Sequence, residues 1–212
     1  ISEKHLEISN LQISVTLGSM MLFAAALLWR LWKISRTKLE AEIKNSRAFE
    51  SLANTDSMTG VRNKHAYSEE EAVLNRKIMG KEMEKLAVVV CDINGLKVIN
   101  DTKGHAAGDK LIKDASALLC EYFIHGAVYR IGGDEFVVLL QGKGYDTREE
   151  TMRSLNKKIE GNIATDGVVI SMGYSVLKPE DELLHDVFER ADQMMYERKQ
   201  ELKRMGAKTR ET

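Results

Sequence analysis

Apolar residues follow two different spacings along residues 64–205, and the spacing separates predicted strands from predicted helices. Short continuous apolar runs predict β-strands, whereas apolar residues three or four positions apart predict helices with one buried face. The runs predict strands at Leu86–Ile93 and Val168–Val176 and a hairpin over Tyr129–Leu140. The stripes predict helices at Lys64–Met79, Lys110–Phe123, Thr147–Glu160 and Glu182–Met205. Strands that alternate with helices indicate a compact α/β domain.

The turn of the predicted hairpin carries candidate chemistry. Gly132 and Gly133 form the turn, and Asp134 and Glu135 follow directly. A glycine pair lets a ligand approach the backbone closely, and adjacent carboxylates suit Mg²⁺, which also binds phosphate oxygens. For an isolated Gly-Gly-Asp-Glu, a solvated surface turn is the simpler explanation. Asp92, at the end of a predicted central strand, offers a further acid for a metal site, although a strand-terminating aspartate would have the same sequence.

The segment Asn94–Asp109 is rich in Gly, Asn, Asp and Lys and has little apolar periodicity, so we expect a loop. The backbone N–H groups and the lysine of such a loop suit phosphate binding. Asn100 and Asp109 carry groups that match a guanine edge, whose N1–H and N2–H₂ donors pair with a carboxylate. Capping of the following helix explains Asp109 at least as simply.

Residues 8–29 contain no charged side chain and, as a helix of about 33 Å, would cross a bilayer. Basic residues cluster directly after this segment, which marks the cytoplasmic side: Arg30, Lys33, Arg36 and Lys38. We therefore expect an extracytoplasmic flank over 1–7, a single membrane span over 8–32 and a cytoplasmic C-terminal part. A signal-peptide core would carry its positive charge before the apolar run. A buried helix of a soluble protein is the remaining alternative.

Residues 33–54 continue the helical pattern as a stalk after the span. A thin stripe at three- and four-residue steps consists of Leu39, Ile43, Ser46, Phe49 and Ala53. The stripe predicts a short coiled coil that dimerises the chain and transmits a signal, and an amphipathic linker helix explains it equally well. Turn-forming residues follow from Asn54, so we place the domain boundary there and predict one domain over 55–212.

Overall charge narrows the range of partners. The net charge of −1 provides no global basic field, so we expect no nucleic-acid partner. The chain begins at Ile1 rather than at a methionine, and we expect a further segment, including any sensing domain, before it.

Four motifs occur in order along the second part of the chain. The pentapeptide Gly132–Phe136 reads Gly-Gly-Asp-Glu-Phe. The other three are Asp56-x-x-Thr59-Gly60-x-x-Asn63, Asp92-Ile93 with Lys97-x-x-Asn100-Asp101-x-x-Gly104-His105-x-x-Gly108-Asp109, and Ala191-Asp192-x-x-Met195-Tyr196-x-x-Lys199. With these residues, the chain from Asp56 to about Gly206 resembles the GGDEF domain of diguanylate cyclases, a bacterial signal-transduction family.

The resemblance implies a fold and a reaction. The expected fold is the GGDEF fold, related to the nucleotidyl cyclases and the polymerase palm, with a five-stranded central sheet wrapped by helices. The expected reaction condenses two GTP into cyclic di-GMP with release of pyrophosphate. Each subunit of a homodimer would hold one GTP, and the 3′-hydroxyl of each nucleotide would attack the α-phosphate of the other. The enzyme would lie in the bacterial inner membrane with its catalytic domain in the cytoplasm.

The resemblance also implies roles for individual residues. Asp92, the Ile93 carbonyl and Asp134 would bind Mg²⁺, or Mn²⁺ in its place. Asp134 would act as the catalytic acid/base with help from Glu135. Asn100 and Asp109 would bind guanine, the lysines would hold phosphates, and His105 would line the pocket or make a structural hydrogen bond. The substrate-binding positions are Gly95, Leu96, Lys97, Asn100, His105, Asp109, Gly132, Gly133, Lys199 and Lys203.

Three departures from the family pattern affect these expectations. Asn94 replaces a common second Asp, which removes one negative charge near the expected metals, and we expect activity to survive. Leu202 and Lys203 stand where many members have Gly-Arg, which leaves the second phosphate contact open. Phe123 and Gly126 stand where an inhibitory site has Arg and Asp, so we expect no product inhibition there.

Two other functional classes compete with an active cyclase. A non-catalytic GGDEF module would bind GTP and signal through protein contacts, and Asn94 is its main support. A purely structural membrane scaffold gives no reason for Asp92, Asn100, Asp109 and Asp134 to occupy their motif positions.

Overall fold

The computed structural model of the chain divides into two compact units, Ile1–Ser51 and Leu52–Thr212. It describes the backbone of residues 2–165 and 167–207 and the side chains of residues 15–42, 53–165 and 167–207. One helix, α1 (Ser2–Asn54), contains both the predicted span and the predicted stalk. The predicted flank 1–7 and most of the stalk stripe lie outside the residues whose side chains the structure describes.

Within the described part of α1, one segment is long and apolar enough to cross a membrane. It comprises the 28 residues Val15–Glu42. Its apolar side chains are exposed, including Phe23 at 73%. Trp29 and Trp32 each lie beside a basic residue of the next turn, with 5.2 Å and 5.3 Å between the cation and the ring centroid. This composition agrees with the predicted membrane helix, because amphipathic aromatic and basic side chains are enriched at membrane interfaces.

The second unit contains the remaining eleven elements in the order of the sequence. They are β1 (Arg62–Asn63), α2 (Lys64–Met79), β2 (Ala87–Ile93), α3 (Leu96–Lys103), α4 (His105–Tyr122), β3 (Gly126–Arg130), β4 (Glu135–Leu140), α5 (Gly142–Asp146), α6 (Arg148–Ala164), β5 (Ile170–Val176) and α7 (Leu184–Arg204). The predicted hairpin is confirmed as β3–β4, which pair antiparallel.

The five strands form one sheet in the order β1-β3-β4-β2-β5. β2 lies between β4 and β5 and is antiparallel to both, whereas β1 is parallel to β3. All seven residues of β2 are buried. A strand buried on both faces carries a continuous apolar run rather than an alternating one, which explains the sequence Ala-Val-Val-Val-Cys.

Alternate residues of the central strands enter two separate cores. Ala87, Val89 and Cys91 of β2 pack in one core with Ile112 of α4 and Leu155 of α6. Their neighbours Val88 and Val90 pack in the other, with buried side chains of α2 and α7 that include Leu74 and Val187. Successive strand side chains point to opposite faces, so helices cover the sheet on both sides. In this three-layer arrangement, the end of β2 and the β3–β4 turn lie side by side at one end of the sheet's strands.

The predicted loop over Asn94–Asp109 is wrong, because the segment forms α3 and the first turns of α4. Gly95 has φ 75° and Gly104 has φ 82°, so each glycine provides a left-handed position at a helix boundary. Leu96 packs against the core of α4 and α6. The helix is therefore stabilised by tertiary contacts that local composition does not reveal.

Two short elements were not predicted. β1 has two residues and lies inside a segment whose composition indicates turns. It pairs with Tyr129 and Arg130 of β3. α5 has five residues and begins one residue after the end of β4. Elements this short carry too few apolar positions to produce a periodic signal.

Candidate active site

The end of β2 and the turn of the β3–β4 hairpin bring three acidic residues together. Asp92 lies opposite Glu135 in the antiparallel register of β2 and β4. The backbone N–H of Ile93 donates to the carbonyl of Asp134 at 3.0 Å, which extends the pairing into the turn. A cleft of about 530 Å³ opens here, lined by Asp92, Ile93, Gly95, Leu96, Lys97, Asn100, Asp101, His105, Asp134, Glu135 and Lys199.

A lysine from the last helix enters the same cleft. Lys199 Nζ donates to Asp92 Oδ1 at 2.6 Å, although the two residues are 107 positions apart in sequence. The Asp92 side chain is 11% exposed and the Lys199 side chain 30% exposed. A charge-assisted hydrogen bond of this kind neutralises a buried carboxylate that would otherwise be costly. It also fixes the position of a cation at the edge of the cleft.

The β3–β4 turn is held by Arg130. Arg130 Nη2 donates to the Gly133 carbonyl at 2.9 Å, and Nη1 donates to Asp56 Oδ1 at 3.0 Å. The same Asp56 oxygen accepts hydrogen bonds from the backbone N–H and the hydroxyl of Thr59 at 3.0 Å and 2.6 Å. The first motif of the sequence therefore contacts the signature turn through one arginine.

Neighbouring charges and burial perturb two of the three acids. Burial raises the pKa of Asp92, and Asp134 and Asp192 add to that effect, while the Lys199 ammonium group opposes it. Burial also raises the pKa of Glu135, together with the negative charges of Asp134 and Asp92. Like charges held close together disfavour ionisation, so this part of the cleft favours a bound cation.

The donor chemistry of the cleft fits a hard divalent cation. Within the residues that the structure describes, no three His, Cys, Asp or Glu side chains are arranged to hold a metal by themselves. Mg²⁺ accepts such a site, because it uses one or two carboxylates and completes its coordination with water and substrate phosphates. Asp92, Asp101, Asp134 and Glu135 are the carboxylates in the described lining of the cleft. A cation bound to Asp92 would compete with Lys199 for this carboxylate.

The cleft contains six of the ten substrate-binding positions predicted by the resemblance and one of its two guanine-binding candidates. Gly95, Leu96, Lys97, Asn100 and His105 line it together with the acids. Lys199 lines it too, from α7.

The described lining of the cleft does not include Asp109, Gly132, Gly133 or Lys203. Asp109 lies on the exposed surface of α4, which begins at His105 with Gly104 as its N-cap. Capping by Asp109, the alternative interpretation, is therefore wrong, because the helix starts at His105, five residues before the predicted start at Lys110. Lys203 is exposed near the end of α7. The guanine role of Asp109 and the phosphate role of Lys203 stay predictions.

Asn94 points to a different environment from the one expected. It is 5% exposed, and its Oδ1 accepts a hydrogen bond from Ser171 Oγ at 2.7 Å. Its Nδ2 is buried and has no hydrogen-bond partner among the described residues. Asn94 is also absent from the described lining of the cleft. Its side chain therefore belongs to the β2–β5 contact, and its effect on the metals stays a prediction.

The positions that correspond to the inhibitory site carry packing residues. Phe123 is 3% exposed and belongs to the core between the sheet, α4 and α6. A Cβ atom at Gly126 would lie 2.7 Å from Leu140 and 2.8 Å from Val138, so this position is packed against β4. The absence of product inhibition stays a prediction.

Three residues contribute to the site without having been assigned a role from the sequence. Asp101 lines the cleft, Asp192 acts electrostatically on Asp92 and Glu135, and Arg130 holds the signature turn. Asp101 and Asp192 stand inside the motifs, so the motifs themselves were an available signal. For Arg130, the signal was its position two residues before Gly132.

Comparison with known proteins agrees with the fold and the motifs. The pattern of the family described as diguanylate cyclase, GGDEF domain, matches residues 53–205. The chain belongs to this family. Diguanylate cyclase A of Treponema denticola is 33% identical over 167 residues, which cover 74% of this chain and 44% of that protein. The chain thus spans less than half the length of this relative.

Two further matches concern a membrane protein and a solved structure. An uncharacterised membrane protein of Staphylococcus aureus is 30% identical over 156 residues, or 70% of this chain and 44% of that protein. The crystal structure of the coiled coil and GGDEF domain of DgcB from Caulobacter crescentus, in complex with c-di-GMP, superposes with a TM-score of 0.67 at 22% identity. It covers 82% of this chain and 95% of that structure, and establishes that the fold is the GGDEF fold.

Proposed function

We propose that this member of the diguanylate cyclase GGDEF family is an active cyclase that condenses two GTP into cyclic di-GMP and pyrophosphate. The observation that carries the proposal is the convergence of Asp92, Asp134 and Glu135 in one cleft with Lys97, Asn100 and Lys199. Carboxylates for a metal, cations for phosphates and an amide for a base are the groups that a nucleoside triphosphate requires.

The residues of the cleft divide the work of substrate binding and catalysis. Lys97 and Lys199 bind phosphate oxygens, supported by the backbone N–H groups of Gly95 and Leu96. Asn100 binds the guanine edge, with Asp109 as the second reader. Asp134 accepts or delivers the proton of the reacting 3′-hydroxyl, and Glu135 assists from the adjacent position on β4.

Asp92, the Ile93 carbonyl and Asp134 would hold Mg²⁺ or Mn²⁺. When bound, the divalent cation supplies positive charge that neutralises the triphosphate. Lys199 donates a hydrogen bond to Asp92, so its ammonium group balances the negative charge of this carboxylate. When the cation binds, the ammonium group can turn toward phosphate.

The reaction requires two copies of the chain. One cleft of about 530 Å³ holds a single nucleotide, and the 3′-hydroxyl of each GTP must meet the α-phosphate of the other. We propose a homodimer in which two catalytic domains face each other. The stalk over 33–54 would set how often they do so.

The proposed location is the bacterial inner membrane, with one span and a cytoplasmic catalytic domain. Support comes from the exposed apolar segment Val15–Glu42, from the basic residues that follow Trp29, and from the similarity to a membrane protein. The proposed domain order is a flank over 1–7, a span over 8–32, a stalk over 33–54 and a catalytic domain over 55–212.

Product analysis tests the proposed activity. The purified chain, shown to be folded and dimeric, is incubated with GTP and Mg²⁺, and the nucleotides are separated and identified by mass. We expect cyclic di-GMP and pyrophosphate, and we expect neither after addition of a chelator. Folded, dimeric protein that binds GTP and yields no cyclic di-GMP would contradict the proposal.

A second function is favoured by the Lys199–Asp92 hydrogen bond, which already places a cation on one metal-binding acid. If that bond persists with nucleotide bound, the domain would bind GTP and signal through protein contacts without turnover. Tight GTP binding that is independent of Mg²⁺, together with the absence of product, would identify this case.

A further inference from the structure

Gly108 lies directly beneath the side chain of Asn100. Gly108 belongs to α4 and is buried, whereas Asn100 belongs to α3 and lines the cleft. A Cβ atom built on Gly108 would lie 1.9 Å from Asn100 Oδ1 and 2.8 Å from Asn100 Cγ. It would also lie 3.2 Å from Leu96 Cδ1. Carbon and oxygen atoms do not approach to 1.9 Å without a bond, so any larger residue would displace the Asn100 amide.

The conformation of Gly108 gives no other reason for a glycine. It is the fourth residue of α4, has no positive φ angle, and donates its backbone N–H to the Gly104 carbonyl at 3.4 Å. Glycine destabilises a helix interior relative to alanine. A cost of this kind is offset when the missing side chain leaves space for a neighbour.

Gly161 provides a comparison within the same domain. It also lies within a helix, α6, but a Cβ atom there would have no neighbour within 4 Å outside the helix's own backbone. The close approach at Gly108 is therefore specific to the α3–α4 contact and does not follow from helical geometry.

We propose that Gly108 is a positioning residue for guanine recognition, because its missing side chain leaves the space in which the Asn100 amide is held at the cleft. This inference rests on the proposed function, in which Asn100 binds the base. It assigns nucleotide selectivity to a residue that does not itself line the described part of the cleft. Gly108 acts through the rotamer of Asn100 and through the spacing of α3 and α4.

A double-mutant cycle tests the proposal with Gly108→Ala, Asn100→Ala and the double variant, prepared in the full chain. Gly161→Ala serves as the matched control. The first readout is the midpoint of thermal unfolding. We expect Gly108→Ala to lower the midpoint, and we expect Asn100→Ala to restore part of the loss when both are present, because the two clashing amide atoms are then gone. Gly161→Ala should leave the midpoint unchanged or raise it.

The second readout is selectivity, measured as the ratio of the dissociation constants for ATP and GTP with Mg²⁺. Loss of one base-specific hydrogen bond corresponds to about a tenfold change in affinity. We expect Gly108→Ala and Asn100→Ala each to lower the ratio about tenfold, and the double variant to match Asn100→Ala alone. Multiplicative effects in the double variant would overturn the proposal, as would unchanged selectivity in Gly108→Ala.

The outcomes separate this inference from the proposed function. If Asn100→Ala leaves selectivity unchanged, the base-binding role of Asn100 is wrong, and the link from Gly108 to guanine fails with it. The unfolding midpoints then still decide whether Gly108 provides the space for the Asn100 amide. If Gly108→Ala and the double variant both fail to fold, Gly108 is required for a contact other than Asn100, and the inference is overturned even where the wild-type chain produces cyclic di-GMP.

Discussion

Lys199 Nζ lies 2.6 Å from Asp92 Oδ1, which links the last helix of the domain to the end of its central strand. The bond connects a predicted phosphate ligand to a predicted metal ligand. It makes the charge of the cleft depend on how closely α7 packs against the sheet.

Replacement of Lys199 should weaken the binding of GTP. Lys199→Met removes the cation that accompanies Asp92 and a phosphate ligand, so we expect the KM for GTP to rise at least about tenfold, which corresponds to one lost charge-assisted hydrogen bond. Steady-state kinetics with Mg²⁺ measure the change. Lys158→Met, on the exposed face of α6, is the control and should behave as the wild type. Equal KM values in the two variants would contradict the role of Lys199.

Gly173 sets the distance between β5 and α7. A Cβ atom at this position would lie 2.1 Å from the Met195 nitrogen and 2.2 Å from the Ala191 carbonyl oxygen, both of which are backbone atoms. Gly173→Ala should therefore lower the free energy of unfolding by about 1–3 kcal/mol, the usual cost of overpacking a rigid contact. Urea unfolding provides the measurement, with Gly161→Ala as the control. Unchanged stability of Gly173→Ala would contradict this prediction and show that α7 can shift away from β5 without loss of stability.

The Asp181–Arg190 ion pair should make stability depend on pH in the acid range. Arg190 Nη1 and Nη2 donate to the two carboxylate oxygens of Asp181 at 2.6 Å and 2.7 Å, and the Asp181 side chain is 3% exposed. Burial raises the pKa of Asp181, but the hydrogen bonds from Arg190 and the Lys178 N–H outweigh it, so the pKa lies below its ordinary value of 3.8.

A folded-state pKa below the unfolded value means that the pair stabilises the fold above the unfolded pKa. This stabilisation is lost as the pH falls through the folded pKa. At pH 7, Asp181→Asn should lower the free energy of unfolding by about 1–2 kcal/mol, because Arg190 is partly exposed. The difference from wild type should shrink as the pH falls below 3.8, the ordinary pKa of the carboxyl group, as measured by urea unfolding. A constant difference across this range would show that the carboxylate charge is irrelevant.

Asn94→Asp tests whether the departure from the family pattern affects the metals. Asn94 bonds Ser171 and does not belong to the described lining of the cleft, so we expect the Mg²⁺ concentration for half-maximal activity to stay within about twofold of wild type. The same change places a charge at a buried atom, which should lower the free energy of unfolding by about 1–3 kcal/mol. Markedly tighter Mg²⁺ dependence would restore the original expectation that Asn94 weakens metal binding.

Much of the fold was predictable from periodicity, and the exceptions have a physical explanation. β2 and the β3–β4 hairpin were found because long apolar runs are buried on both faces. α3 was missed because Gly95 and Gly104, read as loop residues, instead provide the left-handed positions at its ends. β1 was missed because its two residues gain their structure from Tyr129 and Arg130, which are distant in sequence.

The candidate site was predictable from the sequence where strand pairing fixes the positions of the motif residues. Asp92 and Asp134 are brought together by strand register, which follows from the pairing of β2 and β4. The arrival of Lys199 at Asp92 depends on the close packing of α7 over Gly173, which no local pattern encodes. The placement of Asn100 above Gly108 likewise requires two helices to meet.

The central claim is that Asp92 and Asp134 together hold a divalent cation with GTP, and Mn²⁺ binding measures it directly. Free Mn²⁺ is followed by its paramagnetic resonance signal during titration of the GTP-bound wild type, Asp92→Asn, Asp134→Asn and the surface control Asp146→Asn. We expect the control to bind as the wild type does, and each of the other variants to bind Mn²⁺ at least about tenfold more weakly, as for the loss of one ligand charge. Wild-type Mn²⁺ affinity in both Asp92→Asn and Asp134→Asn would contradict the claim.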